Sequence, residues 1–286
     1  MTSAEPQINA WQQRPSLTQT ERLDVLNLLN RTEDSLGREA IDEGRRRSVV
    51  HGWPAEHWLR YEGEVLVEYA HLSGADIPTL ELCGGGFSAG LLSALLTSHS
   101  TIDWWIREIE PPAIGSVVRT LQLMRIAITS MDAEIPSGAT LRNFEPGRDD
   151  AAWLEQNNAA FSHHPEQGAW RNEDLAERTH EPWFDSSSFL LLEFDGRLAA
   201  SCWTKVNELN PQRFGEIYII SVHPDFQGRG LGRVMVLQGL ASLRRRGVNT
   251  GILFVDKSNI PAKELYENLG FTVVRNDHLV RFSAED

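Results

Sequence analysis

Cysteine is scarce in this chain: there are two, Cys83 and Cys202, in 286 residues. They lie far apart and match no metal-ligand spacing, which argues against a zinc-bound or disulfide-stapled fold. Both stand in apolar, strand-like surroundings, so buried, inert thiols in a reducing, cytoplasmic compartment are expected. Positive charge is short as well. Lys and Arg number 27 against 40 Asp and Glu, for a net charge of −13. That balance excludes nucleic acid and anionic membrane as expected partners, because both need a basic footprint. The one dense basic cluster, Arg244-Arg245-Arg246, reads as a helix C-terminus, where cations are favoured by the dipole. No apolar run approaches the length needed to span a bilayer. Met1 to Ala10 is polar and lacks an apolar core, so no secretory signal is predicted.

What the chain does have is an ordinary globular composition, 41% apolar and 23% charged, at a length comfortable for two domains. Its most informative stretch is Gln227-Gly228-Arg229-Gly230-Leu231-Gly232. This lies between a β-like run, Glu216 to Val222, and a helix-like run ending near Arg246. Strand, glycine-rich turn and helix start make a phosphate cradle: glycine lets the backbone approach an anion, and free N–H groups of the first helical turn point at it. Around it the pattern alternates. Helices are predicted over Asp149 to Phe161, with Asp149 or Asp150 as N-cap, over Asn172 to His180 and over Asn259 to Leu269. Strands are predicted at Ser188 to Glu193, Leu198 to Val206, Phe214 to Val222, Gly251 to Val255, Phe271 to Val274 and His278 to Phe282, with a hairpin turn at Asp195-Gly196. Met131 to Ala139 reads as a linker broken by Pro136 and Gly138. The expected organisation is therefore an N-terminal domain over 1–135 and a mixed α/β domain over 136–286.

The first half repeats the pattern faintly. Tyr61-Glu62-Gly63-Glu64-Val65-Leu66-Val67 parallels Phe194-Asp195-Gly196-Arg197-Leu198-Ala199-Ala200. Gly84-Gly85-Gly86-Phe87-Ser88-Ala89-Gly90, followed by Leu91 to Leu96, parallels the glycine turn and helix. The same three features in the same order favour duplication.

Gln227, Gly230 and Gly232 after a strand match the acetyl-CoA signature of GNAT-type N-acetyltransferases. Asn259, Ala262, Tyr266, Gly270 and Phe271 match a second block of that superfamily. Further matches are Asn157 to Phe161, His164 to Gly168, Trp170, Trp183-Phe184, Trp203 to Val206 and Gly215 to Tyr218. With these the chain resembles the mycothiol synthase family of actinobacteria, specifically over about 140–283 and diffusely before. The resemblance implies an α/β (α+β GNAT) fold of two tandem acetyltransferase-like domains, acetyl-CoA as co-substrate, no metal, and a monomer. It also implies acetyl transfer to the cysteinyl amine of cysteinyl-glucosaminyl-inositol.

That chemistry needs a neutral amine, a polarised thioester and a proton for the departing thiolate. An α-amino group has a pKa of about 8, so a base is useful at neutral pH. Glu216 precedes the glycine turn, where this superfamily places its base; a solvated strand-edge glutamate is the alternative. Tyr266 follows the second block and is the candidate acid, with a core tyrosine as its alternative. Backbone N–H groups of Ile220, Ser221 and Val222 are candidates for polarising the carbonyl. Gln227, Gly228, Arg229, Gly230, Leu231, Gly232 and Arg233 would bind pyrophosphate. Asn259, Ile260, Pro261, Ala262, Lys263 and Glu264 would line the pantetheine.

Glu166, Lys205, Trp170 and Trp203 offer polar and aromatic contacts for a sugar. The resemblance assigns substrate contacts to Glu166 and Lys205, and extends them to Glu39. Phe254 stands where these enzymes often have a substrate-touching tyrosine. His163-His164 lacks a third ligand, so metal binding is not expected. In the first half Ser88 replaces a motif glycine, no basic residue lines the turn, and Val118 takes the tyrosine's place, so that domain is expected to be catalytically silent. Another small amine (an aminoglycoside, peptide or amino acid) and a non-catalytic acetyl-CoA-binding role remain the alternatives.

Overall fold

The computed structural model describes residues 10–107, 109–129, 133–162, 168–209 and 212–285. The N-terminal half runs β1 (Gln12–Arg14), α1 (Gln19–Leu36), α2 (Glu43–His51), β2 (Glu56–Glu62), β3 (Val65–Ser73), β4 (Thr79–Cys83), α3 (Ala89–Ser98), β5 (Thr101–Arg107) and β6 (Ser116–Ala127). The C-terminal half runs β7 (Ala139–Asn143), α4 (Asp150–Ala160), α5 (Asn172–Thr179), β8 (Phe189–Phe194), β9 (Arg197–Leu209), β10 (Gln212–Val222), α6 (Leu231–Arg245), β11 (Thr250–Asp256), α7 (Ile260–Asn268) and β12 (Thr272–Ser283).

Each half contains an antiparallel hairpin, a third strand, a glycine turn, a helix and a parallel strand. In the first half these are β2–β3, β4, α3 and β5; in the second, β8–β9, β10, α6 and β11. The β8–β9 turn follows from its sequence. Asp195 and Gly196 take φ values of 48° and 75°, the left-handed pair that a tight hairpin requires.

The halves join in a single 12-stranded sheet of order β1-β2-β3-β4-β5-β12-β6-β11-β10-β9-β8-β7. The last strands cross over. β6 pairs with β11 and β12, and β12 pairs with β5 and β6. The cores follow the strands. Met124 and Ile126 of β6 pack with α6 and α7, while Val280 and Phe282 of β12 pack with α3. Helices α3, α6 and α7 cover one face. On the other, α1 and α2 cover the first half and α4 and α5 the second. Between these two helix pairs, β6, β11 and β12 present Leu123, Phe254 and Arg275 to an open strip, with Phe254 43% exposed.

Three local expectations are corrected. The segments around Phe271 and His278 form one strand, β12, with an irregularity between Val273 and Arg275 rather than a break. Asp149 occupies the N-cap position of α4 but does not cap it; its carboxylate is held by Arg142 and the Glu145 N–H instead. Val118 lies on β6, and among the described residues no helix separates β5 from β6, so the first half has no counterpart of α7. No helix among the described residues is long and apolar enough to cross a membrane.

Candidate active site

The site begins where two strands part. β10 and β11 are paired in parallel only at Gly215–Gly251 and Glu216–Ile252. From Ile217 onward β10 pairs with β9 alone, and its register shifts between Ile217 and Ile219. The bulge bends β10 away from β11 and opens a wedge beside Ile220, Ser221 and Val222. The Ser221 hydroxyl is committed to Gln156 at 3.0 Å and Ser201 at 2.9 Å, so what this residue offers the wedge is backbone.

At the outer end of the wedge lies the glycine turn. Gly230 is the N-cap of α6, with φ 74°, and no side chain caps the helix there. Its first-turn N–H groups are therefore open to an external anion, with the helix dipole behind them. Gln227, Gly228, Arg229 and Arg233 are exposed around them. This donor set fits a pyrophosphate. α7 lies alongside: a Cβ on Gly232 would stand 3.3 Å from Leu265, so the first turn of α6 and the second block are in close register. Asn259 caps α7 by accepting from the Ala262 N–H at 3.2 Å, which sets Ile260, Pro261, Ala262, Lys263 and Glu264 in its first turns.

The first half differs at the equivalent position. Ser88 is the N-cap of α3, with φ −121°, and its hydroxyl accepts from the Leu91 N–H at 3.2 Å. The helix caps itself. Gly84 serves packing, since a Cβ there would collide with the Val67 carbonyl. A cavity of about 500 Å³ nonetheless lies here, lined wholly by residues between Leu28 and Ile109.

The inner end of the wedge carries the titratable groups. Lys205 and Glu216 are register partners on β9 and β10, and Asn207 shares their face. Asn207 Nδ2 donates to Glu216 Oε2 at 3.0 Å. Lys205 Nζ reaches across to the first half, donating to Glu39 Oε1 at 3.3 Å and Glu43 Oε2 at 3.4 Å. Trp183 Nε1 donates to the other Glu43 oxygen at 2.8 Å, and the Lys205 ammonium lies 4.8 Å from the Trp183 ring centroid. The α1–α2 connector that brings Glu39 and Glu43 here is itself anchored. Glu81 accepts from the Asp42 N–H at 2.8 Å, and Arg107 donates to the Ala40 carbonyl at 3.3 Å. Arg107 is also paired to Glu81 at 2.9 Å.

These surroundings set the charges. Burial pushes Glu216 up to about 7; Lys205 opposes the shift, while Glu39 and Glu43 add to it. Glu216 is nonetheless half-buried and not fully enclosed. Burial alone would lower Lys205, but Glu39, Glu216 and Glu43 together hold it above the ordinary lysine range. Three carboxylates around one ammonium leave an excess of negative charge, which suits an incoming cationic amine.

Other expected residues stand as follows. Tyr266 is 7% exposed in the core cluster beneath α6 and α7, and burial raises its phenol above the ordinary range, so it keeps its proton. Phe254 shares the face of Glu216, two residues beyond Ile252 on the neighbouring strand, with Arg275 6.0 Å from its ring centroid. Trp203 is 0% exposed and stacked on Phe189 at 4.5 Å, so it is core and offers no sugar platform. Arg178 covers the Trp170 ring at 4.0 Å. Glu166 and His163-His164 lie outside the described residues. Burial pushes Cys83 up to about 11 and Cys202 up to about 12, which keeps both as thiols. Among the described residues no acidic, histidine or cysteine cluster could hold a metal.

Glu43 and Asn207 were not singled out by the sequence. A signal existed for Asn207, which is two residues from Lys205 on a strand and hence on its face; for Glu43 there was none, since Glu39 lies on the connector and not on α2.

The profile of the acetyltransferase (GNAT) family matches residues 152–271. A tandem GNAT protein from the clavulanic acid biosynthesis pathway superposes with a TM-score of 0.69 at 15% identity, covering 96% of this chain and 99% of that one. A GCN5-related N-acetyltransferase from Sphaerobacter thermophilus gives a TM-score of 0.67 at 21% identity, covering 96% and 95%. Fold and wedge define a tandem GNAT acetyltransferase, a class that uses acetyl-CoA. Curated relatives narrow the class. The mycothiol acetyltransferase of Thermobispora bispora is 39% identical, covering 87% of this chain and 91% of its own length. That of Streptomyces coelicolor is 38% identical, covering 93% of each. The chain belongs to the mycothiol acetyltransferase family.

Proposed function

We propose that this enzyme transfers the acetyl group of acetyl-CoA to the cysteinyl amine of cysteinyl-glucosaminyl-inositol, giving mycothiol, as a cytoplasmic monomer. The observation that carries the reading is the joint acceptor site: Lys205 on β9, beside Glu216, held by Glu39 and Glu43 from the other half. A polyhydroxylated ammonium substrate can use both the lysine donor and the carboxylate acceptors of such a wall, whereas a simple amine would engage the carboxylates alone.

In this reading Glu216 takes the ammonium proton, directly or through a water, and the freed nitrogen attacks the thioester carbon. Backbone N–H groups at Ile220, Ser221 and Val222 stabilise the charge that builds on the carbonyl oxygen. Gln227 to Arg233 hold the pyrophosphate, and Asn259 to Glu264 line the pantetheine. As the carbon–sulfur bond breaks, Tyr266 gives its proton to the thiolate, and the second proton, which leaves the attacking nitrogen as the amide forms, restores the phenol by way of solvent. Phe254 supplies a ring wall without a hydroxyl, and Glu166 joins Glu39 and Lys205 as a substrate contact. The N-terminal half contributes Glu39 and Glu43 and no transfer chemistry of its own, in keeping with the self-capped α3.

The test is CoA release on mixing protein, acetyl-CoA and cysteinyl-glucosaminyl-inositol, followed by identification of the N-acetyl product. Activity on simple amines but not on the pseudodisaccharide would overturn the assignment.

A further inference from the structure

Two carboxylates share the Lys205 ammonium, and they are built differently. Glu39 makes its contact from the α1–α2 connector with a side chain that is 44% exposed. Glu43 is the first residue of α2, its side chain is 18% exposed, and its second oxygen is fixed by the Trp183 indole at 2.8 Å. Trp183 in turn lies under the Lys205 ammonium. Glu43, Lys205 and Trp183 therefore close a triangle of ion pair, hydrogen bond and cation–π contact. Glu39 stands outside it. A ligand that draws Glu39 away leaves Lys205 still paired; one that drew Glu43 away would leave the half-buried Trp183 indole N–H without its acceptor as well.

We propose that Glu43 is a positioning residue of the acceptor site: it fixes Lys205 and Trp183 across the boundary between the halves, so that Glu39 is free to leave Lys205 for the incoming acceptor. The inference rests on the functional reading above and extends it to a residue that makes no contact with the reacting atoms. It gives the N-terminal half a defined task, since α2 is held in place by Glu81 through Arg45 and the Asp42 N–H. It also has an electrostatic signature. The groups that act on Glu216 are Lys205 and Asn207 from β9, Glu39 from the connector and Glu43 from α2, while the ring centroid of Tyr218 on β10 lies 5.8 Å from the Lys205 ammonium. Glu43 is among the charges that raise Glu216.

The experiment compares the wild type with Glu43→Gln, which preserves shape and an acceptor for Trp183 but removes the charge, and with Glu43→Asp, which keeps the charge one methylene shorter. In Glu43→Gln the KM for the cysteinyl pseudodisaccharide should rise about tenfold, the loss of one buried charge contact, with the KM for acetyl-CoA unchanged. The acid limb of kcat/KM should move to lower pH, and Glu43→Asp should fall between the two. Carboxyl ¹³C NMR of the ligand-free proteins follows Glu216 without any substrate, and its titration should move down in Glu43→Gln. Equal changes in both KM values, or a Glu216 titration that stays put in both variants, would overturn the role. Should the wild type fail to acetylate the pseudodisaccharide, the functional reading falls, while the NMR titration still decides on Glu43.

Discussion

The Asn207 amide donates to the Glu216 carboxylate at 3.0 Å from the adjacent antiparallel strand. The bond occupies Oε2 and favours the ionised form, against a burial that pushes Glu216 up to about 7. Asn207 therefore keeps the carboxylate proposed as the base ionisable near neutrality. In Asn207→Leu the carboxylate loses that donor, and its pKa rises. The acid limb of the kcat/KM profile should move upward by about one pH unit, from the loss of one charge-assisted hydrogen bond. Turnover at pH 9 should stay close to wild type, because Glu216 is ionised there in both. A profile that does not move would assign the limb to the substrate ammonium alone and remove Glu216 from the base role.

The two glycine turns predict opposite responses to exchange. Gly230 has φ 74°, and no atom lies within 4 Å of where its Cβ would stand, so Gly230→Ala meets backbone strain rather than a clash. The strain is about 1–2 kcal/mol. Relief by rotating the turn would misdirect the α6 N–H groups, and the KM for acetyl-CoA should rise several-fold with the acceptor KM unchanged. Ser88→Gly removes the α3 cap and should lower stability by a few tenths of a kcal/mol. Steady-state kinetics of that variant should match wild type. If Ser88→Gly changed acetyl-CoA kinetics and Gly230→Ala did not, the assignment of the working cradle to the C-terminal half would be reversed.

Most elements of the C-terminal half could be read from the sequence because their signals are local. Asp195-Gly196 dictates a tight turn, Gly270 ends α7, and short apolar runs bounded by turns mark β8 to β11. The two GNAT motif blocks were legible for the same reason, since Gln227 to Gly232 and Asn259 to Tyr266 are contiguous and fall within the family match. What escaped was set by pairing between distant segments. Nothing in Ser116 to Ala127 announces that β6 will lie between β11 and β12. Trp203 looked like a sugar platform because an aromatic face can pack on the C–H surface of a sugar. Pairing with Phe189 on β8 and the cover of Trp153 from α4 place it in the core instead. Glu43 and Asn207 acquire a role only when α2 and β9 meet at Lys205, a contact between residues 162 apart for Glu43.

Burial of two histidines in the N-terminal half ties stability to pH. His57 bonds the Tyr69 hydroxyl at 2.8 Å and His71 the Ser48 hydroxyl at 3.2 Å. Burial pushes His57 down to about 4 and His71 down to about 3. In the unfolded chain both would take up a proton near pH 6.5, while the folded protein resists until far lower pH. The stability they contribute is complete above pH 6.5 and is lost as pH falls toward 4. For His57 alone the loss amounts to about 3 kcal/mol, from roughly 2.5 pKa units. Denaturant unfolding at a series of pH values should show this decline, and His57→Gln should make it shallower. An unchanged slope would mean that carboxylates, not these imidazoles, govern acid sensitivity.

The crossed strands predict how the protein responds to being cut. Divided at residue 135, the N-terminal half contains β6 but neither of its partners, and the C-terminal half contains β12 but neither of its partners. Each fragment also loses core side chains: Met124 and Ile126 from beneath α6, Val280 and Phe282 from beneath α3. An unpaired strand with an apolar face is an aggregation site. Fragments 1–135 and 136–286 expressed apart should be insoluble or non-cooperative on heating, whereas the two expressed together should co-purify and regain acetyl transfer. The fragment 136–286 matters most, since it holds Glu216, Tyr266 and the uncapped α6. If it folded alone with full activity, β12 would have to pair with β11 directly, and the crossover would be a feature of packing that the chemistry does not need.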